Sequence, residues 1–314
     1  MSPAVPALEW AVQRRLEDLI ARLETKYGDL RGRVEVVPRP DVTFTMIGGA
    51  EQAKGAISGL SYALRMPELY RRWGIRPPRG GLLYGPPGNG KTLLAKALAT
   101  ASEGLFYHVR LRTLTSKIGP NAADVIKEVF QLAAAEGKGV IFFDDADALS
   151  LDHVLPPERA REASALLLSG LCELLDGLSA FPGLMVLAST SRPDGIESPL
   201  IAPGRLDHLI EVPLPEGPAL REIIEIQRSR AEALAERTLF ESLDYEALVP
   251  RLAGMSGGEV SEILRRALET KVQLAGSGAE PGSVTTDDVL RAIDEFRRVR
   301  EVAVKIRYGH GQYL

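Results

Sequence analysis

Eight consecutive residues in the first third of the chain have the types and spacing that bind phosphate. They read Gly-Pro-Pro-Gly-Asn-Gly-Lys-Thr over residues 85–92 and match the pattern G-x-x-x-x-G-K-[ST]. The glycines let backbone N–H groups close around phosphate oxygens, Lys91 reaches the β- and γ-phosphates, and Thr92 offers its hydroxyl to Mg²⁺. A short apolar run precedes the motif and helix-forming residues follow it. This context favours a nucleotide site over an accidental match in a turn.

Two acids end the next strongly apolar run. Residues 139–143 read Gly-Val-Ile-Phe-Phe and lead into Asp144 and Asp145, which is typical of a central parallel strand whose carboxyl end faces a ligand. We expect Asp144 to hold the Mg²⁺ shell and Asp145 to orient or polarise a water. The alternative is a merely solvated strand end that also includes Asp147. The upstream phosphate loop disfavours it, because that class of site needs an acid there.

Composition limits the classes of protein that need to be considered. The chain has 314 residues with 45% apolar and 25% charged side chains, which indicates a soluble protein of about two domains. The net charge of −4 gives no sign of nucleic-acid binding. Cys172 is the single cysteine and lies in an apolar run, so we expect a core residue in a reducing compartment. With no signal peptide or membrane segment recognised, we expect a cytoplasmic protein.

Strand and helix patterns alternate up to about residue 212, and only helix patterns follow. We therefore predict an α/β domain with a parallel sheet, followed by a small all-helical domain in which Ser256 and Glu259 begin a helix. Segment 42–49 is predicted to be extended. The predicted organisation is an N-terminal helix and linker (1–37), the α/β domain (38–214), the helical domain (215–300) and a mobile tail (301–314).

The N-terminal helix, predicted over residues 8–30, carries a heptad-like apolar seam. Its members are Leu16, Leu19, Leu23, Tyr27 and Leu30. Two interpretations stay open: a short coiled coil between subunits, and an amphipathic helix that lies on its own domain. Three heptads are marginal for a free coiled coil, so the pattern does not choose between them.

Further motifs, in order along residues 42–300, resemble those of the AAA ATPases, in the branch that includes the proteasomal ATPases. They are Ile-Gly-Gly (47–49), Ser-Arg-Pro-Asp (191–194), Pro-Gly-Arg-Leu-Asp (203–207), Glu-Val-Pro-Leu-Pro (211–215) and Met-Ser-Gly-Gly-Glu (255–259). The resemblance implies a phosphate-loop NTPase fold with a helical lid. It also implies a homo- or hetero-ring, usually of six subunits, that works on protein substrates.

The same resemblance implies how ATP and Mg²⁺ are held, with the nucleotide between the large domain and the lid and the neighbouring subunit completing the site. Thr92 and Asp144 are assigned to the metal, and Asp145, Ser191 and Arg205 to catalysis. The residues assigned to the nucleotide are Ile47, Gly48, Pro87, Gly88, Asn89, Gly90, Lys91, Thr92, Leu93, Gln227 and Gly257.

Several positions depart from the family pattern, and most of them concern turnover. Asp145 stands where the family usually has Glu, and a misplacement on the order of 1 Å can cost about a hundredfold in rate. Ser191 replaces the usual Asn, and Gln227 replaces a lid histidine. Of two trans-acting arginines the first aligns with Ala202, which leaves Arg205. We expect tight ATP binding and slow hydrolysis.

The pore loop departs as well. In the segment Lys117, Ile118 and Gly119, the isoleucine stands where the family usually has an aromatic residue, so the grip on a threaded substrate is expected to be weaker or absent. The proteasomal ATPases also carry a β-barrel domain between coiled coil and ATPase, which we do not expect in this sequence.

The last four residues, Gly311, Gln312, Tyr313 and Leu314, resemble the C-terminal tails of bacterial proteasome activators. Such a tail docks between subunits of a 20S-type proteasome core particle, and capture of a terminal carboxylate is a known recognition mode. Three functions therefore remain open. They are a proteasome-associated unfoldase, an ATP-binding adaptor or assembly factor with impaired hydrolysis, and an AAA remodeller unrelated to proteolysis.

Overall fold

The computed structural model describes residues 14, 17–18, 20–118, 121–150, 158–181 and 183–309, with the backbone alone at 117–118, 158–163, 179 and 303–309. The strands are β1 (Val34–Val37), β2 (Gly80–Tyr84), β3 (Leu105–Arg110), β4 (Gly139–Asp144), β5 (Leu184–Thr190) and β6 (His208–Glu211). The helices are α1 (residues 20–27), α2 (Glu51–Arg65), α3 (Pro67–Arg72), α4 (Lys91–Ser102), α5 (Leu111–Ile118), α6 (Ala122–Glu136), α7 (Glu158–Asp176), α8 (Pro218–Ala235), α9 (Tyr245–Leu252), α10 (Gly257–Gly276) and α11 (Thr286–Gly309).

Six strands form one sheet in the order β1-β3-β4-β5-β2-β6. Strands β2 to β6 pair in parallel, and β1 pairs antiparallel with β3. All residues of β5 and the first five of β4 are buried, as expected for central strands covered on both faces. This register brings the carboxyl ends of β2, β4 and β5 to one edge of the sheet, where the predicted site residues follow.

The chain divides into two compact units. The first contains the chain up to Phe44, Glu51–Pro86 and Lys91–Val212, and the second contains Thr45–Ala50, Pro87–Gly90 and the chain from Pro213. In the first unit large apolar side chains from β3, β4 and α6, among them Val109, Phe130 and Phe143, are fully buried. Each such side chain contributes about 1.5–3 kcal/mol on burial. Cys172 lies in this same core, as predicted.

Helix α1 packs against the first unit rather than standing free. Leu23 on α1 is buried in the core of that unit, and Tyr27 contacts the core from the edge. The helix ends at Tyr27 and not at residue 30 as predicted, because Gly28 takes a left-handed conformation, and Leu30 is buried in the same core beyond the helix. The Lys26 ammonium group is 2.9 Å from a carboxylate oxygen of Glu128 on α6. This part of the helix fits the interpretation of an amphipathic helix on its own domain. Leu16 and Leu19 lie outside the described residues.

In the second unit, helices α8 to α11 enclose an apolar core of their own. The buried residues are Leu220, Ile223, Ile224, Phe240, Leu243, Leu248, Leu252, Met255, Val260, Ile263, Leu264, Ala267, Val284, Val289, Ala292 and Ile293. The predicted start of α10 is confirmed. Ser256 Oγ accepts from the Glu259 backbone N–H at 3.3 Å, and Glu259 Oε2 accepts from the Ser256 backbone N–H at 2.7 Å.

Two expectations about irregular segments were wrong. Segment 42–49 is not extended throughout, because Phe44–Met46 is a 3₁₀ turn and Ile47 is buried in the second unit instead of pairing in the sheet. Helix α11 does not end near Arg300 but continues to Gly309, since no glycine or proline interrupts its helix-forming sequence before that residue. The part of the predicted mobile tail at 301–309 is therefore helical. Strand β1 was not predicted.

Candidate nucleotide site

The phosphate loop follows β2 and leads into α4, as the motif requires. Gly85, Gly88 and Gly90 have φ values of 141°, 79° and 85°, which favour glycine. A Cβ atom on Gly85 would lie 2.2 Å from the carbonyl oxygen of Val212, so the loop has no space for a side chain there. Helix α4 begins at Lys91. The N–H groups in the first turn of a helix have no partner within the helix, so this helix start is a place where phosphates bind.

Lys91 is buried and its ammonium group lies at the loop. Nζ donates to the carbonyl oxygens of Gly85 and Pro86 at 2.7 and 2.9 Å, and to Ser191 Oγ at 3.2 Å. Burial lowers the pKa of Lys91 below that of an ordinary lysine, and the charges of nearby carboxylates oppose this change. The structure thus brings together Lys91 and Ser191, a predicted phosphate ligand and a predicted catalytic residue.

Asp144 ends β4 with both carboxylate oxygens in hydrogen bonds. Oδ1 accepts from Ser189 Oγ at 2.5 Å, and Oδ2 lies 3.2 Å from His108 Nε2 on the adjacent strand β3. Burial alone would raise the pKa of Asp144, but the hydrogen bonds from His108 and Ser189 lower it below its usual value. A carboxylate that stays charged and fixed fits a hard cation such as Mg²⁺. Thr92, the other assigned ligand, is half-buried in the first turn of α4.

Asp145 lies beyond the strand in a left-handed backbone conformation, with φ 59° and ψ 53°. Its Oδ2 atom is 3.3 Å from Nε of Arg112, and Nη2 of the same arginine is 2.8 Å from Oδ2 of Asp147. Asp147 Oδ1 also accepts from Thr190 Oγ1 at 3.0 Å. The predicted water-orienting acid is therefore held in an ion pair.

The adenine-side segment packs against α8 within the second unit. A Cβ atom on Gly48 would lie 2.6 Å from Ile223 Cγ1, and the Gly49 N–H donates to Glu222 Oε2 at 2.7 Å. Ile47 is buried, and Gln227 is half-buried on α8. These contacts fix the backbone of the segment whose role the resemblance assigned.

Four residues of the phosphate loop, Pro87–Gly90, belong to the second unit as well. The Gly258 N–H donates to the Gly88 carbonyl oxygen at 2.8 Å, and a Cβ atom on Gly88 would lie 2.8 Å from Ser256 Oγ. Gly257, the first residue of α10, lies beside this contact. A Cβ atom on Gly257 would lie 3.6 Å from the Gly88 carbonyl oxygen. Pro87 and Leu93 are exposed, and Asn89 and Gly90 are half-buried.

Arg205 bonds elsewhere in the first unit. Its guanidinium group donates to both carboxylate oxygens of Asp176 and to the carbonyl oxygen of Pro199. The role of Arg205 on a neighbouring subunit's nucleotide stays a prediction. Ala202, where the family has its other arginine, is half-buried.

The pore-loop residues Lys117 and Ile118 end helix α5, but their side chains and Gly119 lie outside what the structure describes. The tail residues 311–314 also lie outside the described residues. Sequence reasoning missed Arg112 and His108. No motif marks them, because their position beside the acids depends on the strand register, which pairs His108 with Phe142 and Arg110 with Asp144.

Among the helices described, none combines the length and apolar character needed to cross a bilayer. The comparisons with known proteins agree on one family. A family model described as "ATPase family associated with various cellular activities (AAA)" matches residues 81–214. The chain is 32% identical over 310 residues to a proteasome-activating nucleotidase of Saccharolobus solfataricus, covering 98% of this chain and 76% of that protein.

Two further relatives carry the same name. The proteasome-activating nucleotidase of Aeropyrum pernix is 32% identical over 291 residues, 91% of this chain and 68% of that protein. That of Methanothermobacter thermautotrophicus is 33% identical over 298 residues, 94% of this chain and 70% of that protein.

Proposed function

The chain belongs to the AAA family of ATPases, and from this premise we propose a more specific function. It assembles into a ring of six subunits, binds and slowly hydrolyses ATP with Mg²⁺, and delivers or unfolds protein substrates for a 20S-type proteasome core particle. The similarity to proteasome-activating nucleotidases along nearly the whole chain carries this proposal. The tail residues 311–314, with their resemblance to docking tails, give it independent support.

We assign nucleotide binding to the phosphate loop and to the residues Lys91 and Thr92 that follow its last glycine. Lys91 contacts the β- and γ-phosphates, and the backbone N–H groups of the loop close around them. Thr92 and Asp144 hold Mg²⁺, which when bound offsets the negative charge of the phosphates. The position of the Lys91 ammonium group at the carbonyl oxygens of Gly85 and Pro86 supports its role. The low pKa of Asp144 supports the metal role, because the carboxylate keeps the charge that this role needs.

For hydrolysis, Asp145 orients a water whose oxygen attacks the γ-phosphorus as the bond to ADP breaks. Ser191 lies beside Lys91, where it can contact the γ-phosphate. Arg205 of one subunit reaches the nucleotide of its neighbour and offsets the charge that develops there, a role worth about 10³–10⁵ in rate in related enzymes. Turnover is slow because Asp145 is shorter than Glu and its carboxylate lies further from the water.

A second candidate is an ATP-binding adaptor in which nucleotide sets assembly and little is hydrolysed. Two ion pairs favour it, since Asp145 is held by Arg112 and Arg205 by Asp176. Ala202 stands where the family has the first of its two trans-acting arginines, and this points the same way. An AAA remodeller unrelated to proteolysis is the third possibility, and it leaves the tail without a role.

One set of measurements separates the three. Steady-state ATP turnover and sedimentation in ATP and in ADP are compared for the wild type and for Lys91→Met. Binding to a 20S core particle from the same organism is then measured for the wild type, for a chain lacking Tyr313 and Leu314, and for a chain extended beyond Leu314.

A ring that presents several tails gains about 10²–10⁴ in avidity, so core-particle binding should need ATP and an unmodified tail. Binding without turnover supports the adaptor. Turnover without binding supports the unrelated remodeller. Core-particle binding by the truncated chain contradicts the assigned role of the tail.

A further inference from the structure

Arg112 lies in the first turn of α5, directly after β3. Because β3 and β4 run in parallel with Arg110 opposite Asp144, the start of α5 lies beside the end of β4. The Arg112 side chain is about half exposed and reaches over the two acids that follow Asp144. No motif identified this residue in the sequence.

The buried carboxylate of Asp147 fixes the position of the Arg112 guanidinium group. The Asp147 side chain is 4% exposed, and its two oxygens are held by Thr190 Oγ1 at 3.0 Å and Arg112 Nη2 at 2.8 Å. With Nη2 anchored there, Nε of the same planar guanidinium lies 3.3 Å from Asp145 Oδ2. Asp147 therefore acts as an anchor that presents Arg112 to Asp145.

The backbone leaves Asp145 little freedom to avoid this contact. Its left-handed conformation sets the direction of the side chain, and its carbonyl oxygen accepts from the Ala148 N–H at 2.9 Å. The Asp145 carboxylate itself is 45% exposed, so solvent competes only partly with the arginine. A carboxylate oxygen that accepts from Arg112 is drawn toward α5 and interacts less with a water proton.

We propose that Arg112 is a positioning residue that holds the Asp145 carboxylate and restrains ATP hydrolysis. This inference rests on the proposed function, in which Asp145 orients the attacking water. Arg112 does not touch the nucleotide in this scheme and acts through Asp145. Another role for Arg112 would be structural, with the arginine only offsetting the buried charge of Asp147.

The test compares kcat and KM for ATP in the wild type, Arg112→Ala, Arg112→Lys, Asp145→Asn and the double variant Arg112→Ala with Asp145→Asn. Arg112→Ala should raise kcat by up to about fivefold, the factor that corresponds to losing an exposed ion pair, with little change in KM. Arg112→Lys should lie between the two, because an ammonium group cannot bridge both acids as the planar fork does. With Asp145→Asn present, Arg112→Ala should change nothing further.

Arg110→Gln is the matched control. Arg110 lies two residues before Arg112 but binds Gly32 and Glu35, so its substitution should leave kcat unchanged. A fall or no change in kcat for Arg112→Ala overturns the proposal. An equal effect with and without the Asp145 carboxylate overturns it too and leaves the structural role. If the wild type hydrolyses ATP but Arg112→Ala does not raise kcat, only the role of Arg112 is rejected. If neither the wild type nor any variant binds or hydrolyses ATP, the proposed function is rejected as well.

A second measurement reports the contact without turnover. The ¹⁵N-labelled Nε–H signal of Arg112 should move in Asp145→Asn and stay in place in Asp194→Asn, an exposed acid in the turn after β5. An Arg112 signal that does not respond to Asp145→Asn overturns the proposed contact.

Discussion

Arg205 and Asp176 form a two-point ion pair in the first unit, with Nε and Nη2 donating to Oδ1 and Oδ2 at 2.7 and 2.8 Å. The hydrogen bonds from Arg205 lower the pKa of Asp176 below its usual value. The pair is therefore present at neutral pH and is lost only as the pH falls through that lowered value. An arginine that acts on the nucleotide of a neighbouring subunit must first leave this carboxylate.

We predict that Asp176→Asn raises the ATP turnover of the assembled protein by about two- to fivefold, because it weakens an exposed ion pair that competes for Arg205. Turnover is measured at protein concentrations where sedimentation shows full assembly. Glu173→Gln, one turn earlier on the exposed side of α7, is the control and should have no effect. If Asp176→Asn reduces turnover as strongly as Arg205→Ala, Asp176 orients Arg205 and does not restrain it.

Lys91→Met should weaken ATP binding about 10- to 100-fold, because charge-assisted hydrogen bonds to the phosphates are lost while the apolar stem is kept. Titration with a fluorescent ATP analogue measures the affinity. Lys96→Met, on the same helix, removes a lysine outside the loop and should bind as the wild type does. Equal affinity for wild type and Lys91→Met would contradict the assigned phosphate site.

Asp145→Glu should raise kcat while ATP affinity stays nearly constant, because the longer side chain brings the carboxylate closer to the water. The substitution also has a cost in stability. Aspartate tolerates the left-handed conformation found at residue 145 better than glutamate, so we expect a loss of up to about 1–2 kcal/mol. Rapid-quench kinetics and urea unfolding measure the two effects. A lower kcat would show that the site is built around the shorter acid.

Asp288→Asn should destabilise the second unit by about 1.5–3 kcal/mol at neutral pH, since it removes charge-assisted hydrogen bonds at the start of α11. Burial would raise the pKa of Asp288, but bonds from Lys271, Thr285 and Arg291 outweigh it and hold the pKa well below its usual value. This stability is present above the ordinary carboxyl pKa and is lost as the pH falls through the lowered one.

Urea unfolding of the full chain at several pH values checks this prediction. The difference between wild type and Asp288→Asn should shrink in strong acid. Asp287→Asn, the exposed neighbour, is the control. A difference that does not depend on pH would show that shape, and not charge, matters at this position.

Much of the fold follows from patterns of period two and period 3.6 in the sequence. The apolar runs before Asp144 and Ser191 predicted two buried strands, and the Ser256–Glu259 pair predicted the start of α10. Strand β1 was missed because four residues with weak alternation carry little signal. Its partner β3 is far away in sequence, so only the folded chain reveals the pairing.

The sequence predicts residues for the site, but it does not predict the side chains that contact them. Lys91 and Asp144 follow from motifs in which spacing assigns a role to each residue, and Ser191 follows from the family resemblance. The ion pairs of Arg112 with Asp145 and of Arg205 with Asp176 join segments that no motif connects. Spacing in the sequence identifies the groups that can do chemistry. The groups that form ion pairs with them are brought there by tertiary contacts, which spacing does not reveal.

Strand β1 also bears on how the chain avoids aggregation. Without it, β3 would leave the N–H and C=O groups along one side open to strands of other molecules. The antiparallel pairing Val34–Val37 with β3 occupies those groups, and its four-residue length leaves only a short new edge. At the opposite edge, β6 is equally short and carries an exposed Glu211. Loosening β1, for example with proline at Val36, should therefore promote β-rich aggregates before it affects ATP binding.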